Sequence, residues 1–139
     1  MLFKVGTKVI DPQILSDHVS DPKNGAITSF LGVVRNHNNG RQVLYLEYDA
    51  YPEMAEQVMQ DIAKQVIEQY TLTNVAIQHR IGRLEIGEIS LAIAVSSPHR
   101  RESFTGCSEI VERIKEILPV WKKEVWEKLA NSLRVETRL

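Results

Sequence analysis

The chain has 139 residues, enough for one domain and too few for two ordinary ones. Hydrophobic residues make up 43% of it and charged residues 25%, which excludes a disordered or fibrous protein. Lys and Arg total 17 against 18 for Asp and Glu, so the chain lacks the basic excess that non-specific binding to nucleic acid or anionic membranes needs.

Cysteine usage and hydropathy narrow the class of protein further. Cys107 is the only cysteine, so neither an intramolecular disulfide nor a cysteine-rich metal site can form. The N-terminal residues lack the features of a signal peptide, and the longest purely apolar run, residues 91–95, is far shorter than the ~20 residues of a bilayer span. No linker or repeat divides the sequence. We therefore expect a cytoplasmic protein with a single domain over residues 1–139.

Hydrophobic periodicity predicts strands and helices that alternate along the chain. In chain order the predicted elements are a strand at 3–10, a helix at 12–19, strands at 26–34 and 43–51, a helix at 52–70, strands at 74–81 and 89–96, a helix from about 101 to 118, and extended segments at 120–126 and 133–137. Loops are expected at 36–40 and 82–87. Strands that follow each other directly favour antiparallel pairing. The predicted fold is therefore α+β, with a mostly antiparallel sheet, two main helices and a short N-terminal helix.

Periodicity also predicts which side chains are buried. In the strand at 43–51, Val43 and Tyr45 are expected on one face and Leu46 and Tyr48 on the other. The apolar stripe of the first long helix is predicted to be Met54, Val58, Ile62, Val66 and Tyr70. The apolar face of the second is predicted to be Phe104, Cys107, Ile110, Val111, Ile114 and Leu118. Burial there should raise the pKa of the Cys107 thiol, which argues against a nucleophilic role.

Chemistry-bearing residues follow no standard catalytic motif, and the four histidines lack metal-ligand spacing. Cationic residues instead gather at the predicted ends of elements, where proteins commonly bind small anions. These residues are Arg35, His99, Arg100, Arg101, Lys115, Lys122 and Lys123. The pattern is typical of a small-anion site, although the alternative, ordinary solvated cations on a surface, stays open.

Several short segments follow one another in order over residues 25–124. They are Gly25-Ala26, Phe30-Leu31-Gly32-Val33-Val34-Arg35-Asn36, Leu46-Glu47-Tyr48-Asp49-Ala50-Tyr51, Met54-Ala55, His79-Arg80-Ile81-Gly82, Ser96-Ser97-Pro98-His99-Arg100 and Pro119-Val120-Trp121-Lys122-Lys123-Glu124. Taken together, these segments resemble the large, catalytic subunit of molybdopterin synthase. The resemblance implies an α+β fold of the α/β-hammerhead type.

The resemblance also implies an activity. Enzymes of this family transfer sulfur from the C-terminal thiocarboxylate of a small ubiquitin-like subunit to cyclic pyranopterin monophosphate, and so form the dithiolene of molybdopterin. Their large subunit is a homodimer within a heterotetramer that carries one small subunit at each end. Because the partner donates the sulfur, the resemblance implies no metal and no cofactor for this step.

Site residues are carried over from the family position by position. Lys115 is expected to be the principal acid or base beside the thiocarboxylate, and Lys122 to stabilise developing oxyanions. Partial desolvation is expected to lower the pKa of such lysines. The residues expected to bind substrate are Arg35, His99, Arg100, Phe30, Lys123 and Arg138.

The family pocket draws on both protomers, so His99 and Arg100 are expected to serve the neighbouring protomer's site. Phe30 would pack near the pterin or the threaded tail, and Arg138 would supply a late family arginine. Glu124 is expected either to orient Lys122 or to form an ordinary surface ion pair.

Two other interpretations remain. The chain could be a non-catalytic anion-binding or scaffold paralogue with the same fold and partner, or a regulatory dimer that senses a pterin or nucleotide. Retention of both Lys115 and Lys122 favours the sulfurtransferase.

Overall fold

The computed structural model describes the backbone of residues 1–128 and 131–138 and the side chains of residues 1–126. The elements in chain order are β1 (Leu2–Gly6), α1 (Pro12–Val19), β2 (Ala26–Val33), β3 (His37–Asn38), β4 (Arg41–Ala50), α2 (Pro52–Tyr70), β5 (Asn74–Arg80), β6 (Gly82–Glu85), β7 (Ile89–Ser97), α3 (Arg100–Ile117), β8 (Val120–Lys128) and β9 (Asn131–Arg138). The α+β prediction is confirmed, with two long helices and a short N-terminal one.

The first sheet has the strand order β1–β5–β7–β2. Its β1–β5 pair is parallel, while β5–β7 and β2–β7 are antiparallel. The interior strands are covered on both faces, which explains the continuous apolar run at residues 91–95. Leu91, Ile93 and Val95 face the main core with α2 and α3, while Ala92 and Ala94 face α1.

The second sheet joins β3, β4, β8 and β9 in that order, and β6 also pairs with β4. All of these pairs are antiparallel. The register of β4 against β8 shifts between Val43 and Tyr45, which is a β-bulge. Val43 is therefore buried with Leu46 and Tyr48, and the prediction that it shares a face with Tyr45 is wrong.

Local chemistry explains where the helices begin and end. The Asp11 side chain accepts a hydrogen bond from the Gln13 N–H at 3.0 Å, and Pro12 occupies the first position of α1. Pro52 likewise begins α2, which ends at Thr71 in the left-handed conformation. The predicted bounds of α1 and α2 are confirmed, and α3 starts and ends one residue earlier than predicted.

Two short strands lie where loops are predicted. β3 occupies part of the 36–40 loop, and β6 occupies most of the 82–87 turn. Strands this short carry no periodic pattern, and both form because β4 offers backbone partners to them.

The predicted buried face of α3 is confirmed except at Phe104, whereas that of α2 keeps Ile62 and Val66 but is rotated away from Met54. In α2 the buried residues are Ala55, Met59, Ile62, Ala63 and Val66. Met54 is 55% exposed and Phe104 on α3 is 60% exposed, so the prediction that they are core residues is wrong. The prediction for Cys107 is confirmed, since burial raises the pKa of its thiol to about 11. No helix in the described part of the chain is long and apolar enough to cross a membrane.

Candidate functional site

Three of the predicted site cations line one cavity of about 450 Å³. Arg35 lies just after β2, Lys115 lies on the last turn of α3, and Lys122 lies on β8. Phe30 of β2 lines the same cavity. The structure therefore brings together residues that are up to 92 positions apart in the sequence, at the place where α3 meets both sheets.

Helix and strand geometry place the two lysines. Lys115 follows the fully buried Ile114, so it borders the core, and its position in the last turn suits the negative end of the helix dipole. Lys115 is exposed and Lys122 is half-buried. Neither lysine is therefore buried within a single chain.

Lys123 does not join this cavity. Successive side chains of a strand point to opposite faces, so Lys122 and Glu124 face the cavity while Lys123 faces away. Lys123 lies opposite Glu47 in the register and lines a separate cavity of about 350 Å³. Lys123, which the sequence predicts to bind substrate, therefore lies outside the cavity that Lys115 and Lys122 line.

Neutral side chains form the floor of the first cavity. The Nδ1–H of His79 donates to the Arg80 carbonyl at 2.9 Å, and burial lowers the pKa of His79 to about 4. Its ring meets that of Tyr48 edge-on, with centroids 5.0 Å apart. Burial raises the pKa of Tyr48 despite its hydrogen bond to Ser90. At neutral pH, Tyr48 and His79 are therefore uncharged polar side chains in the same cavity as the cations.

A hydrogen-bonded carboxylate forms one wall. Glu124 is only 6% exposed, and the Asn38 amide and the Trp126 indole donate to it. Arg35 in turn donates to the Asn38 oxygen at 3.4 Å. The alternative that Glu124 forms an ordinary surface ion pair is therefore wrong, and none of its hydrogen bonds among the described residues goes to Lys122 either.

Sequence reasoning missed Asn38, Tyr48, His79 and Ser90 as cavity residues. One signal was present: a histidine inside an apolar strand, as His79 is in β5, marks a polar group that the core must accommodate.

The remaining predicted site residues lie elsewhere. His99 and Arg100, at the start of α3, line a separate cavity with Arg101 and Glu102. Within one chain they do not meet Arg35 and Lys115. Arg138 lies on β9, and its side chain falls outside the described residues. No three His, Cys, Asp or Glu side chains among the described residues are grouped so that they could hold a metal ion.

Comparisons with known proteins agree with this architecture. The family model described as MoaE protein matches residues 5–117. The molybdopterin synthase catalytic subunit of Halalkalibacterium halodurans is 46% identical over 125 residues, which cover 90% of this chain and 80% of that protein.

Two solved structures share the fold. The crystal structure of molybdopterin synthase from Staphylococcus aureus superposes with a TM-score of 0.89 at 38% identity, covering 96% of each chain. A complex of subunits 1 and 2 of molybdopterin-converting factor from Helicobacter pylori has a TM-score of 0.72 at 19% identity, covering 87% of this chain and 82% of that chain. This last likeness concerns the fold alone. From the family match and the identity to these relatives, the chain belongs to the MoaE family of molybdopterin synthase catalytic subunits, and its role lies in molybdopterin biosynthesis.

Proposed function

We propose that the chain is a sulfurtransferase that builds the dithiolene of molybdopterin. Sulfur would come from the C-terminal thiocarboxylate of a small ubiquitin-like subunit, and cyclic pyranopterin monophosphate would accept it in the cytoplasm. The convergence of Arg35, Lys115 and Lys122 on one cavity is the observation that carries this proposal. Both reactants are anions, and a cavity lined by three cations attracts and orients anions.

The proposed roles follow from the chemistry of each side chain. Arg35 offers a planar fork for the phosphate oxygens of the substrate. Lys115 exchanges a proton at the reacting atoms, and Lys122 stabilises the negative charge that develops on oxygen. In each transfer the thiocarboxylate sulfur forms a bond to a substrate carbon and a C–O bond at that carbon breaks; at the carbon that carries the cyclic phosphate, the departing oxygen stays on phosphorus and the ring opens. Water then hydrolyses the acyl–sulfur bond, so the sulfur stays on the pterin and the partner leaves as a carboxylate. Phe30 provides an apolar surface for the pterin or the tail.

A homodimer would complete the site. Strand β2 is at the edge of the first sheet, and its Ile27, Leu31 and Val33 are 45%, 42% and 56% exposed. An apolar edge strand of this kind is a ready surface for a second copy of the chain. Phe104, 60% exposed, borders the same strand.

Antiparallel pairing of two β2 strands would also explain the placement of His99 and Arg100. Gly25, just before β2, donates to the carbonyl of Pro98, so the start of β2 lies beside His99. Arg35 lies just past the other end of β2. A two-fold axis across the edge brings the start of one strand near the end of the other. We propose that the neighbour's His99 and Arg100 thereby reach the cavity of Arg35.

Reconstitution tests the proposed function. The protein is mixed with a thiocarboxylated small subunit and cyclic pyranopterin monophosphate, and dithiolene formation is measured. The wild type is expected to form product, and Lys115→Ala is expected to slow the reaction by about 10²-fold or more. Lys64→Ala, which removes an exposed lysine of α2 outside the cavity, is the matched control and should keep full activity. If the wild type forms no product, the proposed sulfurtransferase activity is contradicted. If Lys115→Ala keeps full activity, the proposed role of Lys115 in proton transfer is contradicted.

A further inference from the structure

A buried carboxylate lies among the cations of the candidate site. Glu124 lines the same cavity as Arg35, Lys115 and Lys122. A buried carboxylate close to cationic side chains normally forms an ion pair with one of them. Yet no ion pair of Glu124 is found among the described side chains, although Arg80 pairs with Glu88, Arg83 with Glu85 and Arg113 with Glu109.

Neutral donors bind this carboxylate instead. The Asn38 Nδ2 lies 3.2 Å from Glu124 Oε1 and 2.9 Å from Oε2, and the Trp126 Nε1 lies 3.3 Å from Oε1. The Asn38 Oδ1 accepts from Arg35 Nη2 at 3.4 Å. An amide can donate to an anion and accept from a cation at the same time, and here it stands between the two charges.

The backbone fixes the position of this amide. Asn38 is the last residue of β3 and pairs with Arg41 across a two-residue turn. Both turn residues, Asn39 and Gly40, have positive φ values of 51° and 76°, as a type I′ hairpin requires. The conformation of the hairpin therefore fixes the Asn38 backbone beside Glu124.

We propose that Asn38 is a positioning residue that holds the Glu124 carboxylate away from the cations of the cavity. Arg35 and Lys122 then remain available to an anionic substrate. Without the amide, the carboxylate would turn toward Arg35 or Lys122 and neutralise it, because charged hydrogen bonds are stronger than neutral ones. This inference rests on the proposed function only in taking cyclic pyranopterin monophosphate as the anion that binds. The position of the Glu124 carboxylate does not depend on that function.

The test is a double-mutant cycle on binding. The affinity of the full chain for cyclic pyranopterin monophosphate is measured by calorimetry in the wild type, Asn38→Ala, Glu124→Gln and the double variant. Asn38→Ala is expected to weaken binding about tenfold, and Glu124→Gln is expected to abolish most of that loss, because a neutral side chain cannot neutralise a cation. In turnover, KM should rise more than kcat falls. Gln42→Ala, which alters an exposed residue of the same hairpin, should leave the affinity unchanged.

The inference is contradicted if Asn38→Ala lowers the affinity equally with Glu124 and with Glu124→Gln, or does not lower it at all. Asn38 would then only shape the hairpin and would not position Glu124. A crystal structure of Asn38→Ala separates this failure from a failure of the proposed function. Glu124 should move to within about 4 Å of Arg35 or Lys122, and an unmoved carboxylate overturns the inference even if the pterin never binds. If the alanine variant does not fold, Asn38→Ser replaces it, since serine tolerates turns but is too short to reach Glu124.

Discussion

At the scale of the residue, strand alternation decides which of two adjacent lysines reaches the cavity. Lys122 shares a face of β8 with Glu124, whereas Lys123 lies across from Glu47 on the other face. The sequence shows this alternation but not which face meets α3. Only the pairing of β8 with β4, through residues distant in the chain, settles it.

The buried His79 predicts a pH-dependent stability. Its folded pKa of about 4 lies below the usual 6.5, so the unfolded chain takes up a proton first as the pH falls. The part of the free energy of unfolding that depends on this pKa difference is present in full above pH 6.5, and it is lost progressively between pH 6.5 and about 4. The linkage predicts a loss of about 2 kcal/mol at pH 5, measured by urea unfolding at pH 7.5 and pH 5.

The control for this prediction is His79→Asn, which keeps a polar side chain but does not titrate in this range. Its free energy of unfolding should be lower than that of the wild type at pH 7.5, yet should fall less between pH 7.5 and pH 5. An equal fall in both proteins would mean that His79 is not the titrating group.

At the scale of the element, Gly25 connects the start of β2 to the loop before α3. A Cβ atom there would lie 2.6 Å from the Pro98 carbonyl oxygen, and backbone atoms cannot move aside cheaply. Gly25→Ala is therefore expected to destabilise the fold by about 1–3 kcal/mol in urea unfolding.

Gly6→Ala provides the comparison, because a Cβ atom at Gly6 meets nothing within 4 Å. It should leave the free energy of unfolding unchanged or raise it slightly, since alanine restricts the unfolded chain. If Gly25→Ala proves as stable as Gly6→Ala, then β2 and the start of α3 are not in close contact.

Elements with strong local signals were predictable from the sequence, and those that depend on distant partners were not. Pro12 and Pro52 mark helix starts that the structure confirms. The bulge at Val43 and the strand β6 arise from pairing with β8 and β4, which no local pattern shows. For the candidate site, the pattern of cations and the resemblance both pointed to Arg35, Lys115 and Lys122, which line one cavity. The uncharged polar residues of that cavity and the position of Asn38 between Arg35 and Glu124 depend on contacts between distant segments, which no local pattern shows.

At the scale of the whole molecule, the apolar edge of β2 predicts the oligomeric state. The wild type is expected to sediment as a dimer, and Ile27→Lys, which puts a charge on that edge, is expected to shift it to a monomer. Val9→Lys is the matched control, because Val9 is 65% exposed outside the sheets. Analytical ultracentrifugation measures both, and a dimeric Ile27→Lys would mean that the interface lies elsewhere.

A mixed dimer tests most directly whether one site draws on two protomers. Lys115→Ala and Arg100→Ala chains with different tags are co-expressed, and the mixed dimers are purified through both tags. A shared site leaves one of the two cavities complete, so we expect about half of the wild-type rate of dithiolene formation. A wild-type chain paired with the double variant Lys115→Ala/Arg100→Ala should then be inactive. The opposite pattern, an inactive first mixture and a half-active second one, would contradict the shared cavity.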